Sequence, residues 1–155
     1  MDKIFWIQLI TSALGSVGFA VLFKVRLRYL GIIAFLGGAC YGVYYLFESG
    51  LSSDAFIAAL VSTAFVALVS EILARIVHTP TIVFLISCII PIVPGSYLYR
   101  AMRGLIERNS DAFLQNGAET LKIALGTAGG IVAVSVIVNV VLGIAEKVRK
   151  KKNEG

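Results

Sequence analysis

The chain has 155 residues, 58% hydrophobic and 15% charged, with a mean hydropathy of +0.89 and a formal net charge of +5. A soluble domain of this size would carry roughly 25% charged residues. Here the apolar residues form long charge-free runs, so residues 1–155 read as a single all-α integral membrane domain. One histidine and two isolated cysteines, Cys40 and Cys88, exclude His-rich metal sites and conventional catalytic triads, and give no sign of a disulfide framework.

About five transmembrane helices are expected, since a hydrocarbon core of about 30 Å takes some twenty apolar residues. The first, Ile4–Phe23, has Lys3 alone before it and Lys24, Arg26 and Arg28 after it. A secretory signal carries its positive charge in front of the apolar stretch, so this reads as an uncleaved span.

The second span, Tyr29–Phe47, contains Gly38-x-x-x-Gly42, a small-residue face for close helix packing. Tyr41, Tyr44 and Tyr45, with Trp6 and Tyr29, read as interfacial aromatic belts. A short turn with Ser49, Gly50, Ser52 and Ser53 leads to the third span, Ala55–Val77. Glu71, Arg75 and His78 share one face of that span, with Glu71 favourably placed before Arg75. Two roles compete there: a snorkelling pair that anchors the helix, or Glu71 as an ion-coupling group and Arg75 as an attractor of carboxylate substrates.

The fourth span, Thr81–Tyr99, is interrupted at Pro91-Ile92-Val93-Pro94-Gly95. Each proline lacks an N–H and crowds the carbonyl four residues back, so Ser87 and Ile90 are expected to lose their carbonyl partners. In lipid such a break survives only where protein or a water-lined cavity re-satisfies the backbone, and broken helices of this kind build transporter binding sites. The break, with Ser96, Tyr97 and Tyr99, is therefore the candidate substrate pathway.

Residues 100–122 are the least hydrophobic interval and read as an interfacial connector, with Gly104 and Gly117 arguing against one continuous helix. The fifth span, Ile123–Ala145, carries Gly126-x-x-x-Gly130 as a second packing face and Asn139 as a candidate interhelical bridge. Residues 146–155 form a basic tail containing Lys147, Arg149, Lys150, Lys151 and Lys152. Beside membrane spans, such clusters read as cytoplasmic anchors on anionic lipid rather than nucleic-acid sites. Placing the Lys24–Arg28 loop inside puts nine basic residues inside and five outside, with the N-terminus out and the C-terminus in.

The run from Glu71 to Met102 carries a family resemblance: Glu71-x-x-Ala74-Arg75, Pro80, Phe84, Ile89-Ile90-Pro91-x-Val93-Pro94-Gly95, Tyr99 and Met102. It resembles the membrane domain of the threonine/serine exporter family, in particular its short five-span YjjB-like subunit. The resemblance implies a secondary exporter of small polar metabolites in a bacterial inner membrane, with threonine, serine or dicarboxylates such as succinate as substrates. It also implies a complementary YjjP-like membrane subunit supplying the other half. By position it carries over Arg75, Pro80, Pro91, Pro94, Gly95 and Tyr99. No catalytic arrangement, phosphate-binding loop, metal set or cofactor motif accompanies these residues, so an enzyme is not expected. A non-transporting scaffold subunit and a self-sufficient efflux homo-oligomer are the competing readings.

Overall fold

In a computed structural model, the chain is described for residues 3–51 and 54–153, with side chains placed for 3–50 and 54–144. Ser52 and Ser53 of the expected turn, and the side chains of the basic tail, lie outside the described residues. The described residues form six α-helices and no strand: α1 (Lys3–Leu22), α2 (Leu30–Leu46), α3 (Ala55–Val77), α4 (Thr81–Ile89), α5 (Gly95–Ile106) and α6 (Ser110–Asn153). Among the described residues, four helical segments are long and apolar enough to cross a membrane, or five where the bent pair α4 and α5 counts as one span.

The third span starts and ends where the sequence places it, for visible reasons. Asp54 caps α3 by accepting from the Phe56 N–H at 3.0 Å. His78 ends the helix in the left-handed conformation, and the Thr79 N–H returns to the Ala74 carbonyl at 3.0 Å. Lys24 and Arg108 are left-handed after α1 and α5 in the same way, with Val25 N–H on Ala20 and Asn109 N–H on Gly104. These are Schellman-type stops built on non-glycine residues.

Apart from the bent pair α4 and α5, short connections make consecutive helices antiparallel neighbours. Helix α1 packs on α2, α4 packs against α1, α2 and α3, and α6 runs along both α3 and α5. The buried core joins Ile33, Leu36 and Cys40 of α2, Ala58, Ala59 and Val66 of α3, Phe84 and Cys88 of α4, and Ile123 of α6.

Small residues set the closest approaches. A Cβ added at Gly130 would lie 2.6 Å from the Leu60 carbonyl oxygen, and one at Gly126 would collide with the Phe56 carbonyl. On α2 the close approach falls at Gly37, where a Cβ would meet the Ser16 side chain, and not at the expected Gly38 and Gly42. Gly38 faces Ala13 and Leu9 at ordinary contact and Gly42 faces open space.

The interval 100–122 is helix, tight turn and helix. Helix α5 runs to Ile106, and α6 begins at Ser110, with the Asn109 side chain accepting from the Ala112 N–H at 3.1 Å. Neither glycine breaks a helix. Gly104 is buried where α5 meets α6, and Gly117 sits inside α6. The 44-residue α6 is about 66 Å long at 1.5 Å per residue. It thus includes the expected fifth span and extends well past it at both ends.

Candidate functional site

The proline break organises the site. Helix α4 stops at Ile89, a 3-10 turn covers Ile90–Ile92, and α5 leaves from Gly95 at a bend of 52°. Such a bend redirects the chain without reversing it. The backbone is partly repaired within the break: the Val93 N–H donates to the Ile90 carbonyl at 3.1 Å, and the Gly95 N–H to the Val93 carbonyl at 2.7 Å. The Ile90 carbonyl therefore keeps a partner, contrary to expectation, because the turn tightens instead of opening. Pro94 precedes α5 with no side-chain cap, so the amides of Ser96 and Tyr97 open the helix at its positive end.

Two other helices present polar faces to this break. On α1, Gln8, Thr11, Ser12 and Gly15 recur at i, i+3, i+4 and i+7 and so share one face. Thr11 returns its hydroxyl to the Ile7 carbonyl at 2.7 Å, and Ser12 donates across to the Gly37 carbonyl at 3.2 Å. On α2 and the turn that continues it, Tyr41, Tyr44 and Glu48 fall at i, i+3 and i+7. Tyr41 donates to Gln8 Oε1 at 2.5 Å, tying the two faces together. Glu48 sits in a π turn spanning Phe47–Leu51 and accepts a long hydrogen bond from Tyr44, 3.4 Å. Wide turns of this type recur at functional sites.

Two adjoining cavities result. One of about 310 Å³ lies between the α1 face, Tyr41 and Ile90–Pro91. The other, about 210 Å³, is bounded by Gln8, by Tyr41, Tyr44 and Glu48, and by the break from Pro91 to Pro94 with Ser96 and Tyr97. Gln8, Tyr41 and Pro91 border both. The second cavity offers amide, hydroxyl and carboxylate groups beside a helix N-terminus, so it can hydrogen-bond a small polar molecule at several points.

Of the residues singled out in the sequence, Pro91, Pro94, Ser96 and Tyr97 line this cavity. Gly95 stands at its edge with open space around it. Tyr99 is 68% exposed and lines neither cavity. Arg75 and Glu71 also line neither. They form an i, i+4 ion pair at 3.1 Å near the C-terminal end of α3, with side chains 47% and 23% exposed. Asp54 and the Glu48 turn are at the other end of α3, about 30 Å away along the helix. Asn139 is exposed on α6 and bonds to no other described helix.

Sequence reasoning missed Gln8, Thr11, Ser12, Tyr41, Tyr44 and Glu48. The α1 residues did carry a signal, their helical spacing within an apolar run. The tyrosines were read as belt residues and Glu48 as part of a turn.

The family model described as Threonine/Serine exporter, ThrE matches residues 8–137, from the α1 polar face through the break and into α6. The chain belongs to the threonine/serine exporter family. Its family is one of transporters rather than enzymes, and its helices make it a multi-pass membrane protein. No solved structure matches the chain.

Proposed function

We propose that this chain is one component of a secondary exporter of small polar metabolites, either threonine/serine-type amino acids or dicarboxylates such as succinate. It works with a complementary five-span YjjP-like subunit in the bacterial inner membrane, driven by an ion gradient. Substrate occupies the cavity at the broken span, and alternating access comes from movement of α4 and α5 about that break. The observation that carries this reading is the meeting of the uncapped α5 N-terminus with polar faces of α1 and α2 in one cavity. Discontinuous helices place their positive ends against substrate carboxylates in many transporters.

Two further features support the arrangement. Asn139 is an exposed amide in an aliphatic stretch of α6, and an amide facing lipid without a partner is costly. A second membrane subunit on that face would satisfy it. The Lys24–Arg28 turn, Arg75 and the C-terminal end of α6 fall at the same end of an antiparallel bundle, which fits the N-out, C-in orientation. In this reading Glu71 and Arg75 anchor α3 and do not contact substrate.

The test is export of labelled threonine, serine and succinate from cells expressing the chain with and without its partner. Export that needs both chains, and is lost in Pro94→Ala and Gly95→Leu proteins that still assemble, is the expected result. Export by this chain alone would replace the two-component reading with a homo-oligomer. A stable complex that exports none of the three would favour a scaffold.

A further inference from the structure

We propose that Glu48 sets the charge of the substrate: it receives the ammonium group of a zwitterionic amino acid and turns dicarboxylates away. The inference rests on the exporter reading above and narrows it. Among the described residues, Glu48 is the single charged one bordering the cavity at the break, and no lysine or arginine borders either cavity. Its carboxylate is partly buried and has one long hydrogen bond, from Tyr44 at 3.4 Å, and no ion pair among the described residues. A desolvated carboxylate gains most from a cation with several donors, which an ammonium group supplies.

The surroundings favour a cation as well. Tyr41, Tyr44 and Tyr97 border the same cavity, and their ring faces attract cations and repel anions. Of the other charged groups at this end, Lys3, Arg100, Arg103 and Arg108 are exposed and border neither cavity. Lys122 of α6 is held by Glu119 at 2.8 Å and borders neither cavity, and Asp54 is an α3 cap. A dicarboxylate would therefore bring two negative charges beside a third with no basic side chain to receive them. An amino acid can put its ammonium at Glu48 and its carboxylate towards the first turn of α5.

The measurement is binding to the purified full-length chain, with and without its partner, together with export from cells. The ligands are L-threonine, 3-hydroxybutyrate (threonine without its amino group), ethanolamine and succinate. With wild-type protein, ethanolamine should compete with labelled threonine while 3-hydroxybutyrate and succinate do not. Glu48→Gln should weaken threonine binding by about tenfold or more, the size of a lost charge-assisted hydrogen bond. It should leave 3-hydroxybutyrate unchanged or improved, and Glu48→Asp should keep the preference for threonine. Succinate competing as well as threonine on the wild type would overturn the inference, independently of how any variant folds. An unchanged threonine preference in Glu48→Gln would also overturn it, as would a change confined to the pH dependence of export, which would make Glu48 a proton carrier. Export of succinate alone would leave the exporter reading standing and remove this one. A wild type that neither binds nor exports any of these would remove both.

Discussion

The hydroxyl of Tyr41 donates to the side-chain carbonyl of Gln8, 33 residues earlier, at 2.5 Å. This bond joins α1 to α2 at the wall shared by the two cavities, so it holds the polar face of α1 towards the proline break. Interhelical hydrogen bonds in membranes contribute about 0.6 kcal/mol on average. Tyr41→Phe should therefore cost little stability yet lower export, because Gln8 loses its orientation. Thermal unfolding in detergent, measured beside transport KM, separates the two effects. A Gln8→Leu, Tyr41→Phe double-mutant cycle should show coupling between them.

The α3–α6 contact leaves no room for side chains at Gly126 and Gly130. Gly130→Leu should destabilise the protein by about 1–3 kcal/mol or separate the two helices. Gly37→Val should do the same to the α1–α2 pair, where Ser16 occupies the space. Gly42→Ala should be neutral, since nothing lies within 4 Å of its Cβ position. Melting temperature and yield of folded protein in one detergent are the readouts.

Glu71 and Arg75 form a partly exposed pair away from the cavities. Such pairs contribute about 0–1 kcal/mol. Glu71→Gln and Arg75→Gln should thus leave threonine KM within about twofold of wild type. A large rise in KM for Arg75→Gln would return that residue to the substrate pathway.

His78 is left-handed at φ +55°, as are Lys24 and Arg108. A residue with a Cβ carries a penalty of roughly 1–2 kcal/mol in that conformation. His78→Gly should raise the melting temperature while leaving substrate binding unchanged, and His78→Val should lower it.

Asn139 has no partner on another described helix. Asn139→Leu should leave the isolated chain folded and weaken its co-purification with the proposed second subunit. An unaltered complex would place that subunit on another face.

What the sequence made legible follows from how local each signal is. Pro91 and Pro94 act on their own turn, so the break could be read directly. The hydrocarbon length gave the first three spans to within a residue or two, whereas α5 runs seven residues past the expected end of the fourth and α6 runs on into polar sequence. Its start was signalled by Asn109, whose cap on Ala112 has ordinary N-cap spacing, but the surrounding charges hid it. The cavity was different in kind. Gln8, Tyr41 and Glu48 come together only through the pairing of α1 with α2 and the approach of the break, and no short stretch of sequence encodes that juxtaposition. Glu71 and Arg75 drew attention because they are charged within an apolar span, which is a statement about local cost and not about location.

The length of α6 has a mechanical side. At about 66 Å it is roughly twice the thickness of a hydrocarbon core, and no proline interrupts it. It is fastened near its start to α5 and along its middle to α3 through Gly126 and Gly130. A rod held in this way is a lever with its fulcrum in the membrane. A tilt of only about 5° would swing one end by about 6 Å relative to the other. Small rearrangements at the bent α4–α5 pair would therefore be magnified at the far end of the rod.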